Sequence, residues 1–134
     1  MNIKRFDYYS SMSSYGCEIS IDLIKKKPNS LVSVATGNST IGLYKEFKKY
    51  STDNHDFFSK VRILKLDEWL IGSKTDKVGF CEQYIKSNIL KPLNINSDRY
   101  ISYNANTKNP DVECVRVYEV IKNTGPIDLC ILGL

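Results

Sequence analysis

A polar loop at residues 36–40 is the first stretch whose residue types could do chemistry. It follows the apolar, β-branched run LVSVA and directly precedes a helical pattern. Where a strand turns through a short loop into a helix, the first N–H groups of the helix lack partners and the helix dipole adds partial positive charge. The loop consists of Thr36, Gly37, Asn38, Ser39 and Thr40, which together offer close backbone approach and hydroxyl donors. These features predict an anion site, and the residues alone leave open a plain βα turn with Ser39 as N-cap.

The kind of anion is narrowed by what the loop lacks. It matches neither the GxGxxG dinucleotide pattern nor the lysine-containing pattern of a P-loop. A small phosphorylated molecule is therefore favoured over a dinucleotide or a nucleoside triphosphate.

Asp67 and Glu68 form the second candidate, because they follow the apolar run that begins at Val61. Carboxylates at the end of a buried strand lie at the ligand edge of an α/β sheet, and partial burial raises the pKa of a carboxyl toward the range of a general base. Successive strand residues face opposite ways. We therefore expect one carboxylate to face the cleft and the other to pair with a cation or cap the next segment. The alternative is a pair of solvated loop carboxylates.

Two other reactive residue types are assigned structural roles. His55, the single histidine, lies in the polar stretch 51–56 and is expected to be an exposed loop residue. Cys81 lies at the start of a predicted helix, where a thiol pKa can be lowered, but a structural thiol is favoured over a nucleophile. The four cysteines show no CxxC pair, so they are interpreted as reduced, mostly buried thiols and no metal site is predicted.

The elements that must position these residues alternate between strand and helix. Helical spacing appears from about Ser11 to Lys27, from Ile41 to Tyr50, and in the stripe from Phe80 to Ile89. A fourth helix is predicted from about Val112 to Asn123. Its inward residues are expected to be Val112, Val115, Tyr118 and Ile121. Strands are predicted at LVSVA, at VRILKLDEW, near Arg99 to Tyr103, and at DLCILGL.

This alternation predicts the α/β class, as a Rossmann-like layered sheet of mostly parallel strands with helices on both faces. Right-handed crossovers bring the carboxyl ends of the strands to one edge, where open α/β sheets bind ligands. Residues 1–134 are expected to be one domain. Because the sequence stops within an apolar strand, we expect it to be the N-terminal part of a longer, single domain.

Composition excludes several other classes. The chain has 134 residues, 42% hydrophobic and 25% charged, as in ordinary globular domains. No apolar stretch reaches membrane-spanning length and no signal-peptide pattern is present, so we expect a cytoplasmic protein without a membrane partner. The net charge of +4 is spread along the chain, and the cluster 25–27 fits a solvated helix end better than a nucleic-acid surface.

Four segments together resemble a known family. ATGNSTIGLYKEF, KLDEW, FCEQYIKSNILKPLNI and CVRVYEVIKNTGPIDLCILGL are similar, in order, to the first half of the glucosamine-6-phosphate deaminase and galactosamine-6-phosphate isomerase family. The similarity runs from about Cys17 to Leu134. Trp69 in KLDEW and the pair Cys81-Glu82 are closer to the galactosamine-6-phosphate branch.

The resemblance implies a reaction and roles for the two candidate sites. Residues 36–40 would hold the phosphate of an amino-sugar phosphate, and Asp67 would be the base that moves a proton between C2 and C1 of the opened sugar. Glu68 would have a supporting role, and neither a cofactor nor a metal is implied. Ammonia would leave and a ketohexose 6-phosphate would result.

The sequence also departs from the family pattern. Asn38-Ser39-Thr40 lacks the usual proline and second glycine, although Asn38 tolerates left-handed backbone geometry. The segment 72–79 lacks a proline common in relatives. The residues that assist ring opening in the family would follow Leu134, so the chain by itself is expected to be inactive.

Two rival functions and one open question accompany this prediction. The first rival is a 6-phosphogluconolactonase, which shares the fold and a similar phosphate loop. The second is a sugar-phosphate sensor that binds without turnover, and only sixteen residues precede Cys17 to hold a DNA-binding segment. The oligomeric state is open, and a homo-oligomer is compatible with the sequence.

Overall fold

Four parallel strands form the centre of the molecule. A computed structural model describes residues 2–71 and 78–133. The strands in it are β1 (Leu31–Val34), β2 (Arg62–Lys65), β3 (Tyr100–Ile101) and β4 (Leu129–Ile131), in the spatial order β3-β2-β1-β4. In the register, Val32 lies between Ile63 and Leu129, and Ile63 also pairs with Tyr100. Such all-parallel pairing requires a crossover between successive strands, and the helices supply it.

The helices of the described residues connect these strands. They are α1 (Tyr9–Lys26), α2 (Asn38–Asp53), α3 (Phe80–Ile85) and α4 (Pro110–Thr124), with a π-helical turn at Lys86–Leu90 and a 3₁₀ turn at Ser97–Arg99. The predicted α/β class is therefore confirmed. Two boundary differences affect the candidate sites: α2 begins within the predicted loop at Asn38 rather than at Ile41, and β2 ends at Lys65 rather than at Trp69.

One face of the sheet carries the main core. Val32, Val34 and Ile63 point to this face, where they pack with residues of α1, α2 and the α3 region. Because residues in register point the same way, Leu129 and Ile131 of β4 extend the same surface. Burial of this contiguous apolar layer is the main stabilising contribution to the fold.

Helix α4 covers the opposite face, but not with the predicted residues. Val117 is fully buried against Leu31 and Leu64. In contrast, Val112, Val115 and Tyr118 are more than half exposed, so their predicted inward orientation is wrong, while Ile121 does pack against this cluster. Apolar residues lie almost all around this helix, and periodicity could not identify the face that the sheet selects.

Helix α1 packs through small residues. Its buried stripe includes Ser13, Cys17, Ser20 and Ile24, whereas Ile19 is 46% exposed. The Ser13 and Ser20 hydroxyls donate to carbonyls one turn earlier, which satisfies them within the helix. At Ser13 the two helices approach closely, since a Cβ atom at Gly42 of α2 would overlap the Ser13 hydroxyl.

The structure bears on two further predictions, the state of the cysteines and the absence of a membrane-spanning helix. All four cysteines are free, as predicted, but Cys114 and Cys130 are exposed and only Cys17 and Cys81 are buried, so "mostly buried" is wrong. Within the described residues, no helix combines the length and apolar character that crossing a bilayer requires.

Substitutions in α1 test the observed packing face. We expect Ile24→Ala to lower the free energy of unfolding by about 2–5 kcal/mol, because it leaves a cavity among buried residues. Ile19→Ala removes the same atoms from an exposed site and should cost less than about 1 kcal/mol. Urea denaturation measures both. Equal losses would contradict the assignment of the buried face.

Candidate functional site

The loop after β1 leads into α2 through a single unusual backbone conformation. Gly37 has φ of 125°, a value that favours glycine, and Asn38 is already the first residue of the helix. The left-handed geometry that Asn38 would tolerate is not required of it, because the positive φ falls on Gly37. Ser39 is the second helical residue rather than the N-cap, and Gly37 has no side chain with which to cap the helix. The start of α2 therefore has no capping side chain from its N-cap residue, and helix starts of this kind are where anions bind in proteins.

Thr40 has a structural role within this loop. Thr40 is 3% exposed. Its hydroxyl lies 3.2 Å from the Gly37 carbonyl oxygen and 3.4 Å from the Ala35 carbonyl oxygen. The Tyr44 hydroxyl also donates to the Ala35 carbonyl, at 2.6 Å. The hydroxyl of Thr40 therefore bonds within the loop, and its contact with a phosphate stays a prediction.

Glu68 and Lys65 form the best-buried ion pair among the described residues. Their side chains are 2% and 1% exposed, and Nζ of Lys65 lies 2.8 Å from a Glu68 carboxylate oxygen. The same carboxylate accepts the backbone N–H groups of Cys81 (3.1 Å) and Glu82 (2.8 Å). Glu68 is thus the carboxylate that pairs with a cation and caps the next segment.

Gly79 allows this contact. A Cβ atom at Gly79 would lie 2.3 Å from a Glu68 carboxylate oxygen, which is closer than any such contact allows. The glycine before α3 therefore lets the carboxylate reach the helix backbone.

Glu82 and Tyr100 complete the buried cluster. Lys65 also pairs with Glu82 at 2.8 Å, and the Tyr100 hydroxyl donates to the same carboxylate oxygen at 2.8 Å. Burial opposes ionisation of Glu68 and Glu82, but the hydrogen bonds, chiefly from Lys65, outweigh it and lower the pKa of each carboxyl. Both therefore remain charged at neutral pH. No sequence pattern predicted the role of Lys65, since a lysine within an apolar strand is ordinarily expected at the surface.

Asp67 faces the cleft. It is exposed, and its side chain makes no hydrogen bond or ion pair with any residue that the structure describes. The partial burial expected of it is not observed: Asp67 is exposed, although the side chain of its neighbour Glu68 is buried. The predicted division of roles between the two carboxylates is nevertheless the one observed.

A cavity of about 290 Å³ opens beside Asp67. Across from it, Glu113 is held by Arg116 at 2.6 Å and by the Asn104 N–H group at 2.7 Å. The described lining residues are Leu66, Asp67, Glu68, Leu70, Tyr103, Asn104, Ala105, Thr107, Pro110, Glu113 and Cys114. Residues 36–40 are not among them, so the cavity lies on the α4 side of Asp67.

The two candidate segments nevertheless meet through α3. The Thr36 hydroxyl contacts the Cys81 sulfur at 3.6 Å, and the N–H group of Cys81 is bound by Glu68, the neighbour of Asp67. Both segments also follow the carboxyl ends of adjacent parallel strands, since the register pairs Val34 with Lys65. They lie on the same edge of the sheet.

Two further sequence predictions concern residues outside this centre. His55 is exposed in the segment that precedes β2, as predicted. Burial, together with the nearby Glu68 and Asp67 carboxylates, raises the pKa of the Cys81 thiol, which favours the unreactive protonated form. Part of the segment 72–79, where a family proline is missing, lies outside the described residues.

The arrangement offers an unpaired carboxylate beside a cavity and, on the same edge, a helix start suited to an anion. A carboxylate of this kind can abstract a proton from carbon when the substrate is held by a second point. The geometry therefore suits proton transfer on a small phosphorylated molecule.

Comparisons with known proteins point in the same direction. The chain is 30% identical over 132 residues to a protein of Escherichia coli (strain K12) that carries the provisional name deaminase AgaI, covering 98% of this chain and 52% of that protein. It is 32% identical over 135 residues to the glucosamine-6-phosphate deaminase of Clostridium acetobutylicum, covering 100% of this chain and 55% of that enzyme. The chain spans about half the length of these relatives. It matches no model of a protein family.

A solved structure confirms the fold. A monomeric glucosamine-6-phosphate deaminase of the NagB superfamily superposes with a TM-score of 0.84 at 22% identity, covering 95% of this chain and 52% of that one. At this identity the match establishes the architecture alone.

The buried ion pair is tested by Glu68→Gln. The neutral amide leaves Lys65 with one fewer charge partner in a buried site, so we expect the free energy of unfolding at pH 7 to fall by about 3 kcal/mol or more. Glu119→Gln is the matched control, because its pair with Lys122 is exposed and should contribute less than about 1 kcal/mol. Urea denaturation gives both values. A loss no larger than the control's would show that Glu68 does not organise this region.

The pH dependence of stability is a separate test. Because the folded-state pKa values of Glu68 and Glu82 are lowered, their contribution is complete above the ordinary value of 4.5 and is lost as pH falls through the folded-state values. The free energy of unfolding should therefore decrease below about pH 4.5. In Glu68→Gln this decrease should be smaller, since one of the two groups no longer titrates. Identical pH profiles for the two proteins would contradict the assignment.

Proposed function

Since the chain belongs to the family of the glucosamine-6-phosphate deaminases, we propose that it is part of an amino-sugar phosphate deaminase and isomerase. The substrate would be galactosamine 6-phosphate or glucosamine 6-phosphate, and the products a ketohexose 6-phosphate and ammonia. The observation that carries the proposal is the position of Asp67, exposed to a cavity on the sheet edge that also holds the start of α2.

The proposed mechanism begins with the phosphate. The backbone of residues 36–40 and the positive end of the α2 dipole would bind it, and this contact would hold the sugar over the sheet edge. The carbon chain would then extend toward Asp67 and the adjacent cavity. Binding through the remote phosphate orients the reacting carbons and lowers the entropic cost of the reaction.

Proton transfer follows at Asp67. Its carboxylate would take the proton from C2 of the opened amino sugar and return it to C1, while a second proton passes from the amino nitrogen to O1, so that C1 becomes a hydroxymethyl group and C2 an imine. Addition of water at C2 and loss of ammonia give the ketose. Lys65, Glu68 and Glu82 would not touch the sugar in this proposal, since they satisfy one another.

The preference between the two epimers is also a proposal. KLDEW with Trp69 and the pair Cys81-Glu82 favour galactosamine 6-phosphate as the better substrate. We further propose that residues 1–134 are the N-terminal part of the catalytic domain, that the remaining site residues lie outside these positions, and that the enzyme acts in the cytoplasm.

Replacement of the base tests the proposal directly. In the complete gene product, ammonia and ketose 6-phosphate release should be measured with each amino sugar. We expect Asp67→Asn to lower kcat by about 10²- to 10⁴-fold with little change in KM, because the amide cannot accept the proton.

Asp56→Asn is the matched control, an exposed aspartate in the segment that precedes β2, and it should retain full activity. Normal turnover in Asp67→Asn would exclude Asp67 as the base. Binding of the amino-sugar phosphate by the wild-type protein without any product would instead indicate a sensor.

A further inference from the structure

Two tyrosine hydroxyls bind consecutive carbonyl groups of the candidate phosphate loop. The Tyr84 hydroxyl, from α3, donates to the Gly37 carbonyl at 2.7 Å. The Tyr9 hydroxyl, from the first residue of α1, lies 2.7 Å from the Asn38 carbonyl oxygen. The two phenols therefore approach the same turn from two different helices.

Tyr9 is placed within the backbone ladder of α2. Its oxygen accepts the Gly42 N–H group at 2.7 Å while its hydroxyl is within reach of the Asn38 carbonyl. In an α-helix these two backbone groups are the ones that bond to each other. The Tyr9 hydroxyl, inserted between the Asn38 carbonyl and the Gly42 N–H group, therefore helps to set the backbone geometry of the first turn of α2. Side chains inserted into the hydrogen-bond ladder of other helices have the same kind of effect.

The contact of Tyr9 with α2 requires a residue without a side chain at position 42. A Cβ atom at Gly42 would lie 2.7 Å from the Tyr9 ring and 2.2 Å from the Ser13 hydroxyl oxygen. The glycine therefore gives the phenol access to the helix backbone. Tyr9 is 47% exposed, so burial of its ring does not account for this arrangement.

Tyr84 connects the loop to the buried ion cluster. It lies about one turn after Cys81, and the N–H groups of Cys81 and Glu82 are held by Glu68. Burial raises the pKa of the Tyr84 phenol, so it stays protonated and donates at neutral pH.

Because the peptide group is planar, a hydroxyl that holds a carbonyl group also fixes the direction of the N–H group of the next residue. In a trans peptide the carbonyl and the following N–H group point in opposite directions. A hydroxyl that holds the Gly37 carbonyl therefore sets the direction of the Asn38 N–H group. In the same way, the hydroxyl at the Asn38 carbonyl sets the direction of the Ser39 N–H group.

We propose that Tyr9 and Tyr84 are positioning residues that orient the backbone N–H groups of the phosphate loop toward the ligand. The inference rests on the proposed function of residues 36–40 and adds the side chains that prepare them. Neither tyrosine touches the sugar. Both act through the peptide groups that they hold.

The test uses Tyr9→Phe, Tyr84→Phe and the double variant of the complete gene product. Each loses one hydroxyl and keeps its ring. We expect each single change to weaken binding of inorganic phosphate, measured by calorimetry, by about 5-fold, and to raise KM for the amino-sugar phosphate by the same factor while kcat stays within about 2-fold. The double variant should show a larger loss than either single change.

Tyr8→Phe is the matched control, because this adjacent phenol is 71% exposed and makes no hydrogen bond with a described residue. It should bind phosphate like the wild type. Wild-type affinity in both test variants, or a loss of kcat with unchanged phosphate affinity, would overturn the positioning role while leaving the proposed function in place. A wild-type protein that neither binds inorganic phosphate nor releases ammonia from either amino sugar would overturn both.

Discussion

The ammonium group of Lys65 imposes the central constraint on this structure. It sits at the end of β2 with 1% of its side chain exposed, and a charge removed from water in this way must be paired. Glu68 and Glu82 meet it at 2.8 Å each, and Tyr100 binds the second of them. Glu68 belongs to the segment after β2, Glu82 to α3 and Tyr100 to β3. The pairing of the Lys65 charge therefore determines where these three parts of the chain lie.

The buried ion cluster holds helix α3 in place. Its amino end is held by Glu68, its Cys81 sulfur contacts Thr36, and its Tyr84 hydroxyl binds the Gly37 carbonyl. The helix therefore fixes the spacing between the loop after β1 and the segment that carries Asp67. A phosphorylated substrate that bridges the two would encounter a preset distance rather than one that has to be formed on binding.

The sequence could predict the elements whose signal is local. The β-branched run at 31–34 and the helical stripe at 80–89 lie where expected, and the polar residues after β1 and β2 reach one edge because parallel crossovers require it. It could not predict the outward orientation of Val115 or the buried state of Lys65. Both depend on partners distant in the chain. Helix α4 turns Val117 toward Leu31 and Leu64 of the sheet, which leaves Val115 outside. Glu82 lies seventeen residues beyond the lysine with which it pairs.

The contact of Tyr9 with Gly42 also limits how this sequence can change over time. A Cβ atom at position 42 would lie too close to the aromatic ring of Tyr9 and to the Ser13 hydroxyl as they stand, so alanine there requires both side chains to move or to be replaced. The reverse order carries no such penalty, because a smaller residue at position 9 leaves the glycine in place. Loss of the tyrosine before the glycine is therefore the less strained order of change at these two positions.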